Sequence, residues 1–131
     1  MSNALFTSEL TYTPGGGGAL TQSFRVTAPY TAISAGTLDI PDATASGQAF
    51  VIPFGGVNTD ARGLVIKNNT GLDIGIRLNG AAANIYQLAA GGVFMHWAPA
   101  AAAAGALTGA SVTTTAATTG PGTVDYIVLG S

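Results

Sequence analysis

The 131-residue chain contains no cysteine and a single histidine, His96. The first absence excludes thiolate nucleophiles, cysteine–zinc sites and disulfide scaffolds, and leaves the redox compartment open. Charge is also scarce. Six acidic and four basic residues make up 8% of the chain, against roughly a quarter in an average soluble domain. A disordered chain needs low hydrophobicity and high net charge, whereas here the net charge is −2, the hydrophobic class reaches 47% and mean hydropathy is +0.42. The basic residues Arg25, Arg62, Lys67 and Arg77 are scattered and outnumbered, which excludes a phosphate-tracking surface, so no nucleic-acid partner is expected. Long apolar runs are missing too. A membrane helix needs about 20 mainly apolar residues, and the longest apolar window, Gly91 to Leu107, is broken by His96, Pro99 and three glycines, so no membrane partner is expected. The start, Met1-Ser2-Asn3-Ala4-Leu5-Phe6, lacks the basic and apolar regions of a secretory leader.

The chain is rich in small residues and in alternation. There are 19 glycines and 24 alanines, and a chain this long buries roughly two thirds of its unfolded surface, enough for one domain without metal or disulfide. Leu72, Ile74, Ile76 and Leu78 alternate with Asp73, Gly75, Arg77 and Asn79, the period of a half-buried strand. The run Gly63 to Lys67 precedes it, and Asn68-Asn69-Thr70-Gly71 between them supplies turn residues, so the two segments read as a hairpin. Leu20, Gln22, Phe24 and Val26 alternate with Thr21, Ser23, Arg25 and Thr27 in the same way.

Further strands are expected over Leu5–Tyr12, Ala32–Ile40, Gln48–Phe54, Asn84–Leu88, Gly92–Trp97, Ser111–Ala116 and Val124–Leu129, separated by Gly- and Pro-rich turns. Many short strands without a long amphipathic helix predict an all-β, single-domain sandwich or barrel of jelly-roll type. Residues 1–18, ending in four glycines, are read as an N-terminal arm or first strand with a glycine hinge, and residues 19–131 as the body. Pro99 to Gly105, with its five alanines, is expected to form one short helical turn on the sheet.

Catalytic patterns are absent. His96 has neither an orienting partner nor a nucleophile nearby in sequence, and reads as structural. Asp39 and Asp42 flank Pro41 in a turn pattern and offer two of the six or more oxygen ligands calcium requires, so no metal is expected. Gly15 to Gly18 lacks the lysine and hydroxyl of a phosphate loop, and no cofactor is expected. Asn68-Asn69-Thr70 fits a glycosylation sequon, but its turn chemistry already accounts for it. Of the charges, Arg25, Asp73, Arg77 and Asp125 fall on polar faces of alternating strands and Asp39, Asp42 and Asp60 in turns, leaving few for a cleft.

A small β domain with so little charge keeps its apolar and Thr/Ala surface covered by partners. The Thr-rich strand at Ser111–Thr115 and the last strand from Val124 suit side-by-side packing between subunits. The Gly63–Gly71 segment, the alternating Leu72–Asn79 strand, the Gly91-Gly92-Val93-Phe94 return and the strand-terminal ending together resemble tailed-phage virion proteins of the capsid decoration, or cement, kind. That resemblance implies a β-sandwich or barrel, homotrimeric on the outside of an icosahedral shell, bound to the major capsid protein and bridging capsomers without catalysis. It carries no residue role. The candidate interaction residues are Leu5, Phe6, Leu10 and Tyr12 of the arm, which would clasp a neighbour. The alternative is a receptor- or carbohydrate-binding module of a fibre or tail, using Tyr86 and Trp97 as stacking platforms.

Overall fold

Period-two alternation recurs along the chain, and each alternating stretch becomes a strand. The computed structural model describes residues 2–57, 60–98 and 107–131. Its strands are β1 (Ser2–Tyr12), β2 (Leu20–Tyr30), β3 (Ala32–Ile40), β4 (Ala49–Val51), β5 (Ala61–Asn68), β6 (Ile74–Leu78), β7 (Tyr86–Leu88), β8 (Val93–Trp97), β9 (Ala110–Thr114) and β10 (Gly122–Gly130). The expected helical turn over Pro99 to Gly105 lies outside the described residues.

Strands β3 to β10 form two four-stranded antiparallel sheets, ordered β3-β10-β5-β8 and β4-β9-β6-β7. The first strand pairs with the last, the second with the second-to-last, and so on inward, so the chain is a long hairpin rolled into two layers. This is the jelly-roll arrangement, in which each sheet buries one face against the other. The sheet containing β10 contributes Leu64, Ile66, Val124, Val128 and Ile40 to the core. The opposing sheet contributes Ile74, Ile76, Leu88, Ala110 and Val112.

The hairpin expected from Gly63 to Asn79 does not form. β5 pairs with β10 and β8, whereas β6 pairs with β9 and β7, so Asn68 to Leu72 carries the chain from one sheet to the other. The physical reason is Asn68, which is fully buried. Its Nδ2 donates to the carbonyls of Leu72 (2.6 Å), Leu88 (3.1 Å) and Ala89 (3.1 Å). Its Oδ1 accepts from the backbone N–H (3.0 Å) and hydroxyl (2.7 Å) of Thr70. One amide therefore satisfies backbone groups at two turns, Asn68–Leu72 and Leu88–Ala89, and fixes the chain where it leaves one sheet for the other. The same burial closes the sequon at Asn68.

Other turns follow their chemistry. Asn79 and Gly80 both take positive φ, and the Ala81 N–H bonds to the Leu78 carbonyl at 3.0 Å, as a type I′ turn requires. Asp39 lies within β3, paired with Thr123, not in a turn. The β9 and β10 strands are interior to their sheets, each with neighbours on both sides, so neither has an edge to offer another subunit.

Candidate interaction surface

Outside the sandwich, β1 and β2 form a sheet of their own, paired from Ser2↔Tyr30 to Tyr12↔Leu20 along all eleven residues of each strand. The glycine run is thus in the connecting loop, with the Gly17 N–H bonded to the Pro14 carbonyl at 3.1 Å, and the projecting element extends to Tyr30. Only Thr31 separates β2 from β3, and its N–H bonds to the Gly130 carbonyl at 2.8 Å.

Residues directly opposite in an antiparallel pair share a face. One face of the hairpin carries Asn3, Leu5, Thr7, Glu9 and Thr11 with Thr21, Ser23, Arg25 and Thr27. It is knitted by the Thr11–Thr21 hydroxyl pair at 3.0 Å and by Ser23 Oγ donating to Glu9 at 3.5 Å. The other face carries Ala4, Phe6, Leu10, Tyr12, Leu20, Phe24, Val26 and Ala28, with Ser8 opposite Phe24, Gln22 opposite Leu10, and Ser2 and Tyr30 at the base, and is mostly apolar.

The two halves of that apolar face meet different fates. In the inner half, the Phe6 ring stacks on Trp97, centroids 5.1 Å apart and planes inclined at 30°. Trp97 lies over Gly63, and beside it Leu129 is 3% exposed. Ala28 is fully buried, and neither Ala28 nor Leu129 belongs to the sandwich core, so the hairpin base forms a small second core on the outer face of the sheet. The Trp97 indole N–H is buried there and finds no hydrogen-bond acceptor among the described residues. In the outer half, Leu10 and Phe24 are 57% and 62% exposed, and Tyr12 and Leu20 are exposed beside them. The alternation expected over Leu20–Thr27 holds, yet its apolar side is uncovered here.

A second uncovered surface lies on the outer face of the β3-β10-β5-β8 sheet. Registers place Met95, Val65, Ile127 and Ala35 in one row across the four strands, all apolar. Met95 and Ile127 are exposed. The next row is Val93, Lys67, Asp125 and Thr37, in which Asp125 accepts from Thr37 Oγ1 and Asn69 Nδ2, both at 2.8 Å.

The opposing sheet turns a mostly polar face outward, with Val51 exposed beside Ser111 at its β4 edge. Asn84 folds over Gly75, its Oδ1 accepting from Thr113 Oγ1 (2.7 Å) and Arg77 Nε (3.0 Å), and Gln87 Nε2 donates to Asp73 at 2.9 Å. These groups satisfy one another.

Of the six residues singled out in sequence, Phe6, Leu10 and Tyr12 share the apolar hairpin face, whereas Leu5 sits on the polar one. Tyr86 is 53% exposed on β7, its ring 6.0 Å from that of Phe94, and Trp97 lies under Phe6 in the other sheet. The two aromatic platforms are therefore not brought together. Phe24 and Leu20 join the apolar face from β2. Two alternating runs separated by a short glycine-rich link signal that hairpin, but reading them singly hides the shared face.

Among the described residues there is no helix long and apolar enough to cross a membrane and no group of three or more His, Asp or Glu positioned for a metal. Comparison with protein-family models, curated proteins and solved structures finds no match to this chain.

Proposed function

We propose that this chain is a non-enzymatic structural component of a virion: a decoration protein that binds the outer face of an icosahedral shell through the major capsid protein and stabilises it by bridging capsomers. One observation carries the reading. The hairpin's apolar face ends in Leu10, Tyr12, Leu20 and Phe24, which stay exposed and are not covered by any of the described residues. Such a face is a liability on a free monomer and a binding element in an assembly. The jelly roll suits the role as a charge-poor body whose own polar groups are largely engaged with one another, and homo-oligomerisation, as a trimer by the resemblance, would cover still more of it. The test is co-sedimentation of the purified chain with assembled shells. Saturable binding at symmetric positions supports the reading, and its absence on shells from several tailed phages counts against it.

A further inference from the structure

We infer that the outer half of the hairpin docks on the Met95–Val65–Ile127 row of a second copy of this chain, head to tail. Both surfaces are mostly apolar, and Leu10, Tyr12, Leu20 and Phe24 on one and Met95 and Ile127 on the other are exposed. They cannot meet within one chain. The hairpin is paired along its whole length, and β2 runs into β3 through Thr31 alone, held to Gly130, so the outer half has no loop on which to fold back. The inner half shows the chemistry on a small scale, since Phe6 already covers Trp97 at one end of the same sheet face.

Dimensions agree. From Ser8↔Phe24 to Tyr12↔Leu20 the hairpin advances four residues, about 14 Å at 3.4 Å per residue, and four strands at about 4.8 Å spacing make a row of the same width. Area agrees as well. Half-exposed large apolar side chains offer about 100 Å² each, so four on the hairpin and four on the sheet face, Ile33 and Val93 included, hold roughly 800 Å². At the usual ~60% apolar share this corresponds to about 1,300 Å² of interface, within the range of stable complexes. Because the two surfaces differ, the contact is heterologous, and copies joined by it form a ring where the rotation closes and a filament where it does not.

The inference deepens the assembly reading by naming one partner, yet its test needs no shell. Light scattering on the purified chain is expected to give a multiple of 12.9 kDa, and Phe24→Lys to return that mass to 12.9 kDa with an unchanged circular dichroism spectrum. The cysteine-free background allows a second test. A short bis-maleimide should link Leu10→Cys chains to Ile127→Cys chains in a mixture, and neither variant to itself. A wild-type mass of 12.9 kDa, or Leu10→Cys linking to itself as well as to Ile127→Cys, overturns the inference. A monomer that still binds shells would overturn this inference alone, and an assembly of linked copies that binds none would overturn the shell reading alone.

Discussion

The Trp97 indole occupies the space a side chain at Gly63 would need: a Cβ there would lie 2.6 Å from Trp97 Cζ3 and 3.0 Å from Leu129 Cγ. Gly63 is thus the seat on which the indole and, above it, Phe6 are stacked. Gly63→Ala should lift Trp97 and loosen the hairpin base, costing about 1–3 kcal/mol as overpacking does. Trp97 is the chain's only tryptophan, so a red-shifted emission together with a lower Tm checks the prediction.

Replacing Trp97 separates packing from polarity. Trp97→Phe keeps an aromatic under Phe6 and discards an indole N–H that has no acceptor among the described residues, so the change in stability should stay within about 1 kcal/mol. Trp97→Ala uncovers Leu129 and should cost about 3 kcal/mol or more. Chemical denaturation of the two variants distinguishes these outcomes.

Asn68 is expected to be the most sensitive polar position. Asn68→Ala strands the carbonyls it holds at both turns, for a loss of about 3 kcal/mol or more. Asn68→Asp would place a carboxylate against three carbonyl oxygens in a buried site, which raises its folded pKa above the unfolded value of about 3.9. The penalty is then largest above the folded pKa and shrinks as pH falls toward the unfolded value, so Asn68→Asp should be closer to wild type at pH 4 than at pH 7. Urea midpoints at the two pH values test the sign.

Gly75→Ala should expel Asn84, whose amide fills the space a Cβ would take, and thereby break its bonds to Thr113 and Arg77. Thr113 is almost fully buried beneath it. A loss of about 1–2 kcal/mol is expected, with Asn84→Ala giving a similar value and the double variant less than the sum of the two.

Removing residues 1–14 would strip β2 of its partner and leave Trp97 bare, whereas removing the hairpin through Tyr30 takes away both strands together. The longer deletion should keep cooperative unfolding of the jelly roll, with a Tm lowered by the loss of cover over Trp97 and Leu129. Calorimetry on both truncations checks the order, the shorter one being the more prone to aggregate through its unpaired edge.

Strand existence was legible because half-buried strands print a period of two. Ala32–Ile40 matches its expected bounds, and the other nine segments each contain or overlap a strand. Pairing was less legible. Gly63–Lys67 and Leu72–Asn79 have the composition of hairpin arms, and the buried amide of Asn68 that sends them to different sheets draws on Leu88 and Ala89, about twenty residues away. A local pattern does not contain that partner.

By itself the sequence determined a charge-poor, cysteine-free, all-β chain with its apolar residues on alternate sides, because alternation and turn chemistry are properties of neighbouring residues. Only the tertiary structure decided which apolar sides are covered. Val65 and Ile127 belong to apolar runs whose outward members look no different from Leu64 and Val128, and register alone sets them on the solvent face. Phe6 and Phe24 lie on one hairpin face with the same alternation, yet the first rests on Trp97 and the second stays 62% exposed, because only the hairpin base reaches the sheet.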